Sequence, residues 1–578
     1  MSVAPRTPRT RPLNRLRLVL DPALTPANAL DKACDAHPDR AIFHPDADSG
    51  FAALRGRAIT PRQLLVFAGG LGELLRDGMG MRAGDRVAVI KTNHVDYFFL
   101  VLAIVRAGGV AVPINPGIRG ERLERYLRHT GARIVLTDAP TFASCVGDPE
   151  RMPSVERWGF PAAPAGFGAS HVSIDSELPA AGAPAPPAPL RRVDPVVIAH
   201  TSGTTGFPKG VVSTSGTLAA GIKGHYVDEP VATGNRTGIA GHFNHLVYQS
   251  GLFATLLSSM PVWTLSPDDA AGALRAIERE RLNFFFAFPD VYLRMYHEGL
   301  AGHDLRSMRL WVTTADASHD VHMRAFCRTG AYLRVLGVPL MRSAFIEVLG
   351  STEVGSAALR RIRLPFARPR SDRPIGRRTP GGPRVRIARE DGRTVWRPGA
   401  VARVEVRGPA VFAGYWDEAA MRPAPRERAW AWTGDVGYRD RLGVFHHLDR
   451  AADVVDTRAG PVYTLPVEEV LLEHPAVGEV AVIGLPHPDG GELPVAVAHA
   501  RPGATLDAGE CLRWARTQLT LAAPLAEVVV VTPEEMPRGL TGKVLKRELR
   551  ERYADRLAAP AGAAAGELAD QAGAAAQE

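Results

Sequence analysis

The pattern of apolar and polar positions along the chain predicts alternating helices and short buried strands. Thr60-Pro61-Arg62-Gln63 opens a helical stretch that runs to Leu75, and its proline suits the first helical turn. The continuous apolar run Val87–Ile90 predicts a strand buried on both faces, a helix follows over Tyr97–Arg106, and Val110–Pro113 predicts the next strand. Strand, helix and strand in this order predict a parallel βαβ unit and an α/β fold.

Three stretches of the chain lack this pattern of alternating helices and strands. Residues 1–28 are rich in arginine and proline, residues 161–190 lack periodicity and are rich in proline, and residues 557–578 are mostly alanine and glycine. We expect a disordered leader, a flexible surface excursion and a tail to which no function is assigned. Asn283–Phe288, by contrast, predicts a buried strand rather than a surface on which a ligand stacks.

Composition favours a multidomain globular protein. The 578 residues exceed what one core usually holds, and 46% hydrophobic with 22% charged residues excludes wholesale disorder, collagen and coiled coil. The net charge is +8, but five arginines precede the first acid, Asp21, so the rest of the chain is nearly balanced. We therefore expect no nucleic-acid partner.

Cysteine usage and hydropathy point to the cytoplasm. The four cysteines are scattered at positions 34, 145, 327 and 511, which indicates neither a disulfide framework nor a structural zinc site. We find neither a secretory leader nor an apolar run of about 18 residues, so no membrane partner is expected.

The strongest chemical signal is the run His200–Gly210, which directly follows the apolar strand Pro195–Ala199. Glycine and small hydroxyl residues let a backbone turn its N–H groups inward around an anion, and Lys209 adds a cation. The loop residues concerned are Thr201, Ser202, Gly203, Thr204, Thr205 and Gly206. Pro208 and Gly210 occupy the places of the second glycine and the hydroxyl residue of a Walker motif, which argues against a P-loop kinase or ATPase.

Lysine is rare in this chain, since arginine fills most basic positions. The six lysines are Lys32, Lys91, Lys209, Lys223, Lys543 and Lys546. A lysine inside the loop therefore indicates phosphate binding rather than an ordinary turn rich in serine and glycine.

At this loop the chain resembles the adenylate-forming superfamily, which includes acyl-CoA synthetases, aryl-acid ligases, luciferases and peptide-synthetase adenylation domains. Four further motifs occur in the family's order and approximate spacing: His242-Phe243-Asn244-His245 with Gly251, Gly350-Ser351-Thr352-Glu353, Trp432–Tyr438, and Pro537–Lys543. The resemblance covers roughly residues 30–555. It implies a large N-terminal multi-sheet α/β domain, 29–448, and a small mobile α+β C-terminal domain, 449–556.

The resemblance implies that ATP and an acid form an adenylate with release of pyrophosphate. Because negative charge builds on crowded oxygens, cations and N–H donors are the main catalytic resource. Glu353 is the implied Mg²⁺ ligand, Thr352 an implied donor to the α-phosphate, and Asp435 an implied acceptor from the ribose hydroxyls. Lys543 is the implied catalytic cation, brought to the site when the C-terminal domain closes. Lys209 is a further implied catalytic cation, and the remaining implied ATP contacts are Gly350, Ser351 and Arg450.

Phe243, His245 and Tyr248 are the implied lining of the acid pocket. His242 and His245 are three residues apart, but with no third ligand nearby they indicate pocket lining rather than zinc. The expected partner is a small-molecule acid, aryl or of medium acyl length, and the expected cofactors are ATP, Mg²⁺ and CoA. An acyl carrier protein is the alternative acceptor.

Two features depart from the family pattern. Leu349 replaces the aromatic residue that usually stacks on adenine, so we expect weaker or altered stacking of the nucleotide. At the domain junction Ala452 replaces the usual hinge acid or lysine, and the loop Thr457–Pro466 is about one or two residues long relative to the family spacing. Since that loop shapes the thioester-forming state in the family, the sequence supports acid activation more strongly than transfer to CoA.

Two alternatives remain open on the sequence. An ATP-dependent diazotase would keep the nucleotide chemistry and activate nitrous acid for attack by an aryl amine. A catalytically inactive nucleotide-binding protein would keep the fold, although intact Lys209, Glu353, Asp435 and Lys543 argue against it.

Overall fold

The computed structural model describes residues 17–56, 58–163, 170–178, 184–201, 207–228, 236–335, 338–367, 372–423, 426, 429–487, 490–539, 542–554 and 556. These residues form two compact units. The second unit holds 372–373, 434–436 and the described residues from His447 onward, and the first unit holds the rest. Most of the predicted leader and the whole predicted tail, 557–578, lie outside the described residues.

One sheet of the first unit has nine described strands. In spatial order they are Arg422–Pro423, Gly414–Asp417, Lys209–Thr214, Pro195–Thr201, Val110–Pro113, Arg86–Val89, Ile134–Leu136, Arg157–Phe160 and His171–Ser173. The last six are mutually parallel, and Lys209–Thr214 pairs antiparallel with Pro195–Thr201. Apart from the edge strand His171–Ser173, the strands of the parallel part are mostly apolar and buried, as strands covered on both faces must be.

A second sheet has twelve strands within the described part of the chain. In spatial order they are Phe43–Pro45, Val262–Leu265, Thr237–Ala240, Phe284–Ala287, Leu310–Thr313, Ala344–Leu349, Leu359–Arg363, Pro374–Arg378, Phe445–Arg450, Ala431–Arg439, Ala402–Arg407 and Arg384–Ala388. The first six are parallel and the pairings resolved beyond them are antiparallel. A separate hairpin pairs Leu333–Val335 with Val338–Met341.

The helices of the first unit pack on these sheets. The α-helices are Ala29–Ala36, Pro61–Glu73, Asp96–Arg106, Gly120–Thr130, Ala139–Thr141, Ile174–Glu177, Ser215–Asp228, Leu246–Ser258, Ala270–Glu280, Pro289–Glu298 and Asp320–Cys327. Shorter 3₁₀ or π turns are Ala52–Leu54, Leu74–Gly78, Phe142–Val146, Pro149–Arg151 and Leu300–Gly302. Every residue of Asp96–Arg106 is buried, and its Asp96 pairs with Lys91 at 2.6 Å. That ion pair neutralises both charges inside the core.

The second unit is a smaller α+β structure. Val477–Pro486 pairs antiparallel with Glu492–Ala500, which pairs parallel with Glu527–Val530, and Val455–Thr457 forms a hairpin with Gly460–Val462. The described helices here are Thr464–Leu471, Ala508–Gln518 and Lys546–Tyr553, with a 3₁₀ turn at Pro533–Glu535. Among all described helices, none is long and apolar enough to span a bilayer.

The predicted α/β class, with a large multi-sheet part and a smaller one, is confirmed. The helix predicted from Thr60 begins there because the Thr60 hydroxyl accepts from the Gln63 N–H and the Gln63 side chain accepts from the Thr60 N–H. Phe284–Ala287 is a strand between two others, as predicted. The prediction of no regular structure over 161–190 is wrong at His171–Glu177, which forms an edge strand and a helical turn. The strand His171–Ser173 has only three residues, which are too few to show the alternation of apolar and polar positions that predicts a strand.

Candidate functional site

The phosphate-loop motif lies between two paired strands of the first unit. Thr201 is the Cα partner of Lys209, and His200 is the partner of Gly210. The predicted contacts Ser202, Gly203, Thr204, Thr205 and Gly206 lie outside the described residues. Lys209 was predicted as a loop residue, and it is instead the first residue of the return strand. The pairing therefore fixes where the loop begins and ends.

The Gly350-Ser351-Thr352-Glu353 motif is a tight turn at the carboxyl end of Ala344–Leu349. The Ser351 carbonyl accepts from Val354 N and Gly355 N, both at 3.1 Å, and Phe412 N donates to the Glu353 carbonyl at 2.9 Å. Gly355 has φ +69°, and a Cβ there would collide with the Ala410 carbonyl. The backbone that carries Thr352 and Glu353 is thus held from two sides.

Tyr415 connects the two motifs. Its hydroxyl donates to Glu353 Oε1 at 3.2 Å, and the Lys209 ammonium lies 5.3 Å from its ring centroid. Burial, followed by the nearby Glu353 carboxylate, raises the pKa of Tyr415 to about 12, so the phenol keeps its proton. The structure therefore gathers Lys209 and Glu353 around one tyrosine that sequence reasoning missed.

Phe243, His245 and Tyr248 converge in an aromatic cluster after the strand Thr237–Ala240. Ring centroids of Tyr248 and Phe288 are 4.9 Å apart, and those of His245 and Phe288 are 5.5 Å apart. Asn93 holds the segment, since its Nδ2 donates to the Gly241 carbonyl and its Oδ1 accepts from Phe243 N. The three predicted residues are brought together, and Phe288 joins them.

Gly241 allows the Tyr248 ring to take this place. A Cβ at position 241 would fall within the atoms of that ring. The Tyr248 hydroxyl donates to the Ala240 carbonyl at 3.2 Å, and the side chain is fully buried.

A buried histidine links the loop strand to the aromatic cluster. His200 Nε2 accepts from Asn115 N at 2.9 Å and lies 3.4 Å from Asn244 Nδ2. The His200 and His245 rings are 6.3 Å apart. Burial lowers the pKa of His200 to about 4 and, aided by the neighbouring histidines, that of His245 to about 3. Both imidazoles are therefore neutral at pH 7.

In the second unit, the structure brings together Asp435 and Arg450, each predicted separately as an ATP contact. Asp435 Oδ1 lies 3.3 Å from Arg450 Nε and 3.3 Å from His447 Nε2, and the Asp435 side chain is buried. Gly434 has φ +86°, and a Cβ there would lie 2.9 Å from Arg450 Nη1. The Thr-Gly-Asp glycine thus makes room for the arginine. His447 was not predicted, although two adjacent histidines within a buried strand were a signal.

The junction is anchored on both sides of Ala452. Asp449 accepts from Arg450 N at 2.9 Å and from Thr464 N at 2.6 Å, and burial raises the pKa of its carboxyl. Asp453 pairs with Arg550 at 3.2 Å. The lengthened loop Thr457–Pro466 begins inside the hairpin of Val455–Thr457 and Gly460–Val462, where the Thr457 hydroxyl donates to the Gly460 carbonyl.

Lys543 and Lys546 have different surroundings. Lys546 is buried, with its ammonium 2.7 Å from Glu468 Oε1 and 2.6 Å from the Thr464 hydroxyl. Lys543 is half-buried and follows Gly542, whose φ is +76°. Its carbonyl accepts from Gly539 N at 2.8 Å, which closes the loop. Lys546 is thus a structural residue of this unit, whereas the predicted role of Lys543 stays a prediction.

Comparisons with known proteins match most of the chain. A family model described as AMP-binding enzyme matches residues 30–416, and a model of the AMP-binding enzyme C-terminal domain matches 466–561. The chain is 31% identical over 505 residues to a feruloyl-CoA synthase of an Amycolatopsis species, covering 86% of this chain and 94% of that protein. It is 31% identical over 508 residues to a 3-aminoavenalumate diazotase of a Streptomyces species, covering 82% of this chain and 86% of that protein. ATP-bound MatB from Rhodopseudomonas palustris has a TM-score of 0.76 at 25% identity, covering 92% of this chain and 100% of MatB.

Proposed function

Because this chain belongs to the AMP-binding enzyme family and is an ATP-dependent, AMP-forming ligase, we propose that it activates an aryl carboxylic acid and transfers the acyl group to CoA. The observation that carries the nucleotide half of the proposal is the contact of Tyr415 with both Lys209 and Glu353. It places a cation and a hard carboxylate around the same tyrosine side chain, a combination that suits a phosphate chain with its metal ion.

Several residues of the first unit bind the phosphates of ATP in this proposal. Lys209 offers its ammonium to the phosphates, and Thr201, Gly350, Ser351 and Thr352 supply hydroxyl and N–H donors next to it. The loop residues 202–206 are proposed to complete that set of donors. Donors fixed in advance stabilise the charge that develops when the acid carboxylate attacks the α-phosphorus and pyrophosphate leaves.

Glu353 fits a magnesium ion. Within the described residues, no lysine or arginine lies within ion-pair distance of its carboxylate, and Oε1 is oriented by the Tyr415 hydroxyl. Among those residues no group of three or more acidic, histidine or cysteine side chains could hold a metal by itself. Magnesium commonly takes one or two carboxylates and completes its shell with substrate phosphates and water. When bound, it would neutralise charge on the phosphate oxygens.

The second unit supplies the remaining roles. Asp435, which lies beside Arg450 and His447, accepts from the ribose hydroxyls, and Lys543 provides the cation for the attacking carboxylate and the α-phosphate. A carrier protein is the alternative to CoA as acceptor.

The aromatic cluster supports an aryl acid. Tyr248 packs against Phe243 and Phe288, and all three rings are buried. The neutral His245 beside Phe288 adds a polar group without charge to this apolar cluster. The feruloyl-CoA synthase relative acts, by its name, on an aryl-substituted acid, which agrees with this class.

Pyrophosphate–ATP exchange across a panel of aryl and medium-chain acids tests the proposal. We expect exchange with at least one aryl acid, and its loss by at least about 10²–10³-fold in Lys543→Ala. Arg547→Ala, an exposed cation four residues away, is the matched control and should leave exchange unchanged. Wild-type exchange in Lys543→Ala would contradict the role of Lys543. CoA and a carrier protein are then compared as acceptors.

Nitrous acid is the second candidate substrate, and the diazotase relative is the observation that favours it. The same assay with nitrite and aryl amines decides between the two. ATP-dependent loss of nitrite together with the amine, without exchange on any carboxylic acid, would replace the first proposal by the second.

A further inference from the structure

The loop that carries Lys543 is tied to the sheet of the second unit by one arginine. Arg538 donates from Nη2 to Glu479 Oε2 at 2.5 Å and from Nη1 to Glu479 Oε1 at 3.2 Å. The same Nη1 donates at 3.1 Å to the carbonyl of Gly542, the residue immediately before Lys543. A planar guanidinium that meets a carboxylate with two hydrogen bonds fixes direction as well as distance.

The loop closes on itself at this arginine. Arg538 forms an isolated β-bridge with Val544, and Gly539 N donates to the Lys543 carbonyl at 2.8 Å. Both backbone contacts flank Lys543, so the direction in which its Cα–Cβ bond leaves the loop depends on where Arg538 is held.

Glu479 is itself held rigidly. It lies on Val477–Pro486, where the register shifts after Val477, and its Cα partner is His499 on the neighbouring strand. His499 Nε2 lies 3.1 Å from Glu479 Oε2, and His499 Nδ1 lies 3.0 Å from the Ala500 carbonyl. The side chains of Glu479 and His499 are 14% and 4% exposed, so neither is a surface group free to reorient.

The charges of this cluster reinforce one another. Burial acts against the carboxylate, but hydrogen bonds from His499 and Arg538 outweigh it and lower the pKa of Glu479 to about 2. Burial also acts against the imidazolium, and the bonds to Glu479 and the Ala500 carbonyl raise the pKa of His499. One buried carboxylate thus faces a histidine ring from the sheet and a guanidinium from the loop.

We propose that Glu479 is a positioning residue for adenylate formation, acting on Lys543 through Arg538 and the Gly542 carbonyl, with His499 holding the carboxylate in place. The inference rests on the proposed function, in which Lys543 supplies the cation at the α-phosphate. A long, flexible lysine side chain is effective there only if its base is fixed, since a displacement of about 1 Å can cost about 10²-fold in rate. The hydrogen bonds of Arg538 fix the base of the Lys543 side chain.

Glu479→Gln keeps the shape of the side chain and removes its charge. We expect it to lower kcat of pyrophosphate exchange by about 10- to 100-fold, the range typical of residues that orient a reacting group, while KM for ATP and for the acid changes less than about 2-fold. Glu479→Asp, which keeps the charge, should recover part of the loss. Glu527→Gln breaks another glutamate–arginine pair of the same unit, with Arg556, and should leave exchange unchanged.

Combining the substitution with Lys543→Ala separates positioning from general damage. If Glu479 acts through Lys543, Glu479→Gln should not slow the residual exchange of Lys543→Ala any further. An equal fold-loss in both backgrounds, or unchanged kcat in the single variant, would overturn the inference. Wild-type exchange in Lys543→Ala alone would instead overturn the proposed function. If Glu479→Gln does not fold, Glu479→Asp is compared in the same two backgrounds and the same outcomes decide.

Discussion

The phenol oxygen of Tyr415 donates a hydrogen bond to Glu353 Oε1 at 3.2 Å, while the face of the same ring lies 5.3 Å from the ammonium of Lys209. Tyr415 reaches this position because Gly414–Asp417 pairs antiparallel with the strand that begins at Lys209. One aromatic residue therefore orients the carboxylate proposed for magnesium and contacts the cation proposed for the phosphates. The hydroxyl and the ring serve different partners and can be separated by mutation.

Tyr415→Phe removes the hydroxyl and keeps the ring. Because a hydrogen bond that orients a metal ligand typically contributes about 10-fold or more to metal affinity, we expect the Mg²⁺ concentration for half-maximal exchange to rise by about 10-fold. Glu353→Gln should both raise it further and depress turnover. A magnesium titration of pyrophosphate exchange measures this, with the exposed Tyr332→Phe as control. Identical titration curves for wild type and Tyr415→Phe would show that the hydroxyl does not orient Glu353 in the working enzyme.

Asp435→Asn should weaken ATP binding more than it slows chemistry. Ribose contacts are present in the ground state and the transition state alike, so we expect KM for ATP to rise by about 10- to 100-fold with a smaller change in kcat. 2′-Deoxy-ATP gives the sharper measurement. It should be a poorer substrate than ATP for the wild type and nearly equal to ATP for Asp435→Asn. The same preference for ATP in both proteins would place the ribose elsewhere.

Buried neutral histidines predict loss of stability in mild acid. Burial lowers the pKa of His200 and His225 to about 4 and, with help from neighbouring histidines, that of His245 to about 3, against 6.5 for the free side chain. The unfolded chain therefore binds more protons than the folded chain below pH 6.5. Their contribution is fully present above that value and is lost as the pH falls toward 4. We expect the thermal unfolding midpoint of the first unit to fall steadily from pH 7 to 5, and a flat profile would contradict these burial effects.

The residues at the domain junction predict that adenylate formation is faster than transfer of the acyl group to CoA. Ala452 has no charged side chain where the family has one at its pivot, and residues at such hinges set the balance between states. In a single-turnover experiment we expect the adenylate to accumulate and then to decay slowly when CoA is added. Ala452→Lys should speed that decay without changing adenylate formation. Decay as fast as adenylate formation in the wild type would show that the substitution at the hinge is neutral.

The sequence predicts those elements whose structure depends on interactions between residues close together in the chain. The capping residues Thr60 and Gln63 mark a helix start within four residues, and the run Val110–Pro113 is a buried strand because no polar side chain interrupts it. The Gly350–Glu353 motif is identified from its resemblance to the family, whereas the hydrogen bond from Phe412 N that holds the Glu353 carbonyl has no local signal in the sequence.

The contacts that sequence reasoning missed join distant residues. Tyr415 and Glu353 are 62 positions apart, and His200 and Asn115 are 85 apart. Strand pairing and burial bring these residues together, and neither effect can be read from the spacing of residues along the sequence. The sequence predicts Lys209 as a loop residue for a similar reason, because its pairing partner Thr201, which makes it a strand residue, lies on the far side of the loop.

The fit of the Tyr248 ring against Gly241 constrains the order in which substitutions can accumulate. Any side chain at position 241 would overlap the ring while Tyr248 is present, so a larger residue there is tolerated only after position 248 has become small. Replacement of Tyr248 has no such precondition, because it only opens space. A lineage that takes up bulkier acids would therefore change position 248 first, and the two positions would afterwards vary as a pair, with bulk on one side or the other but not on both.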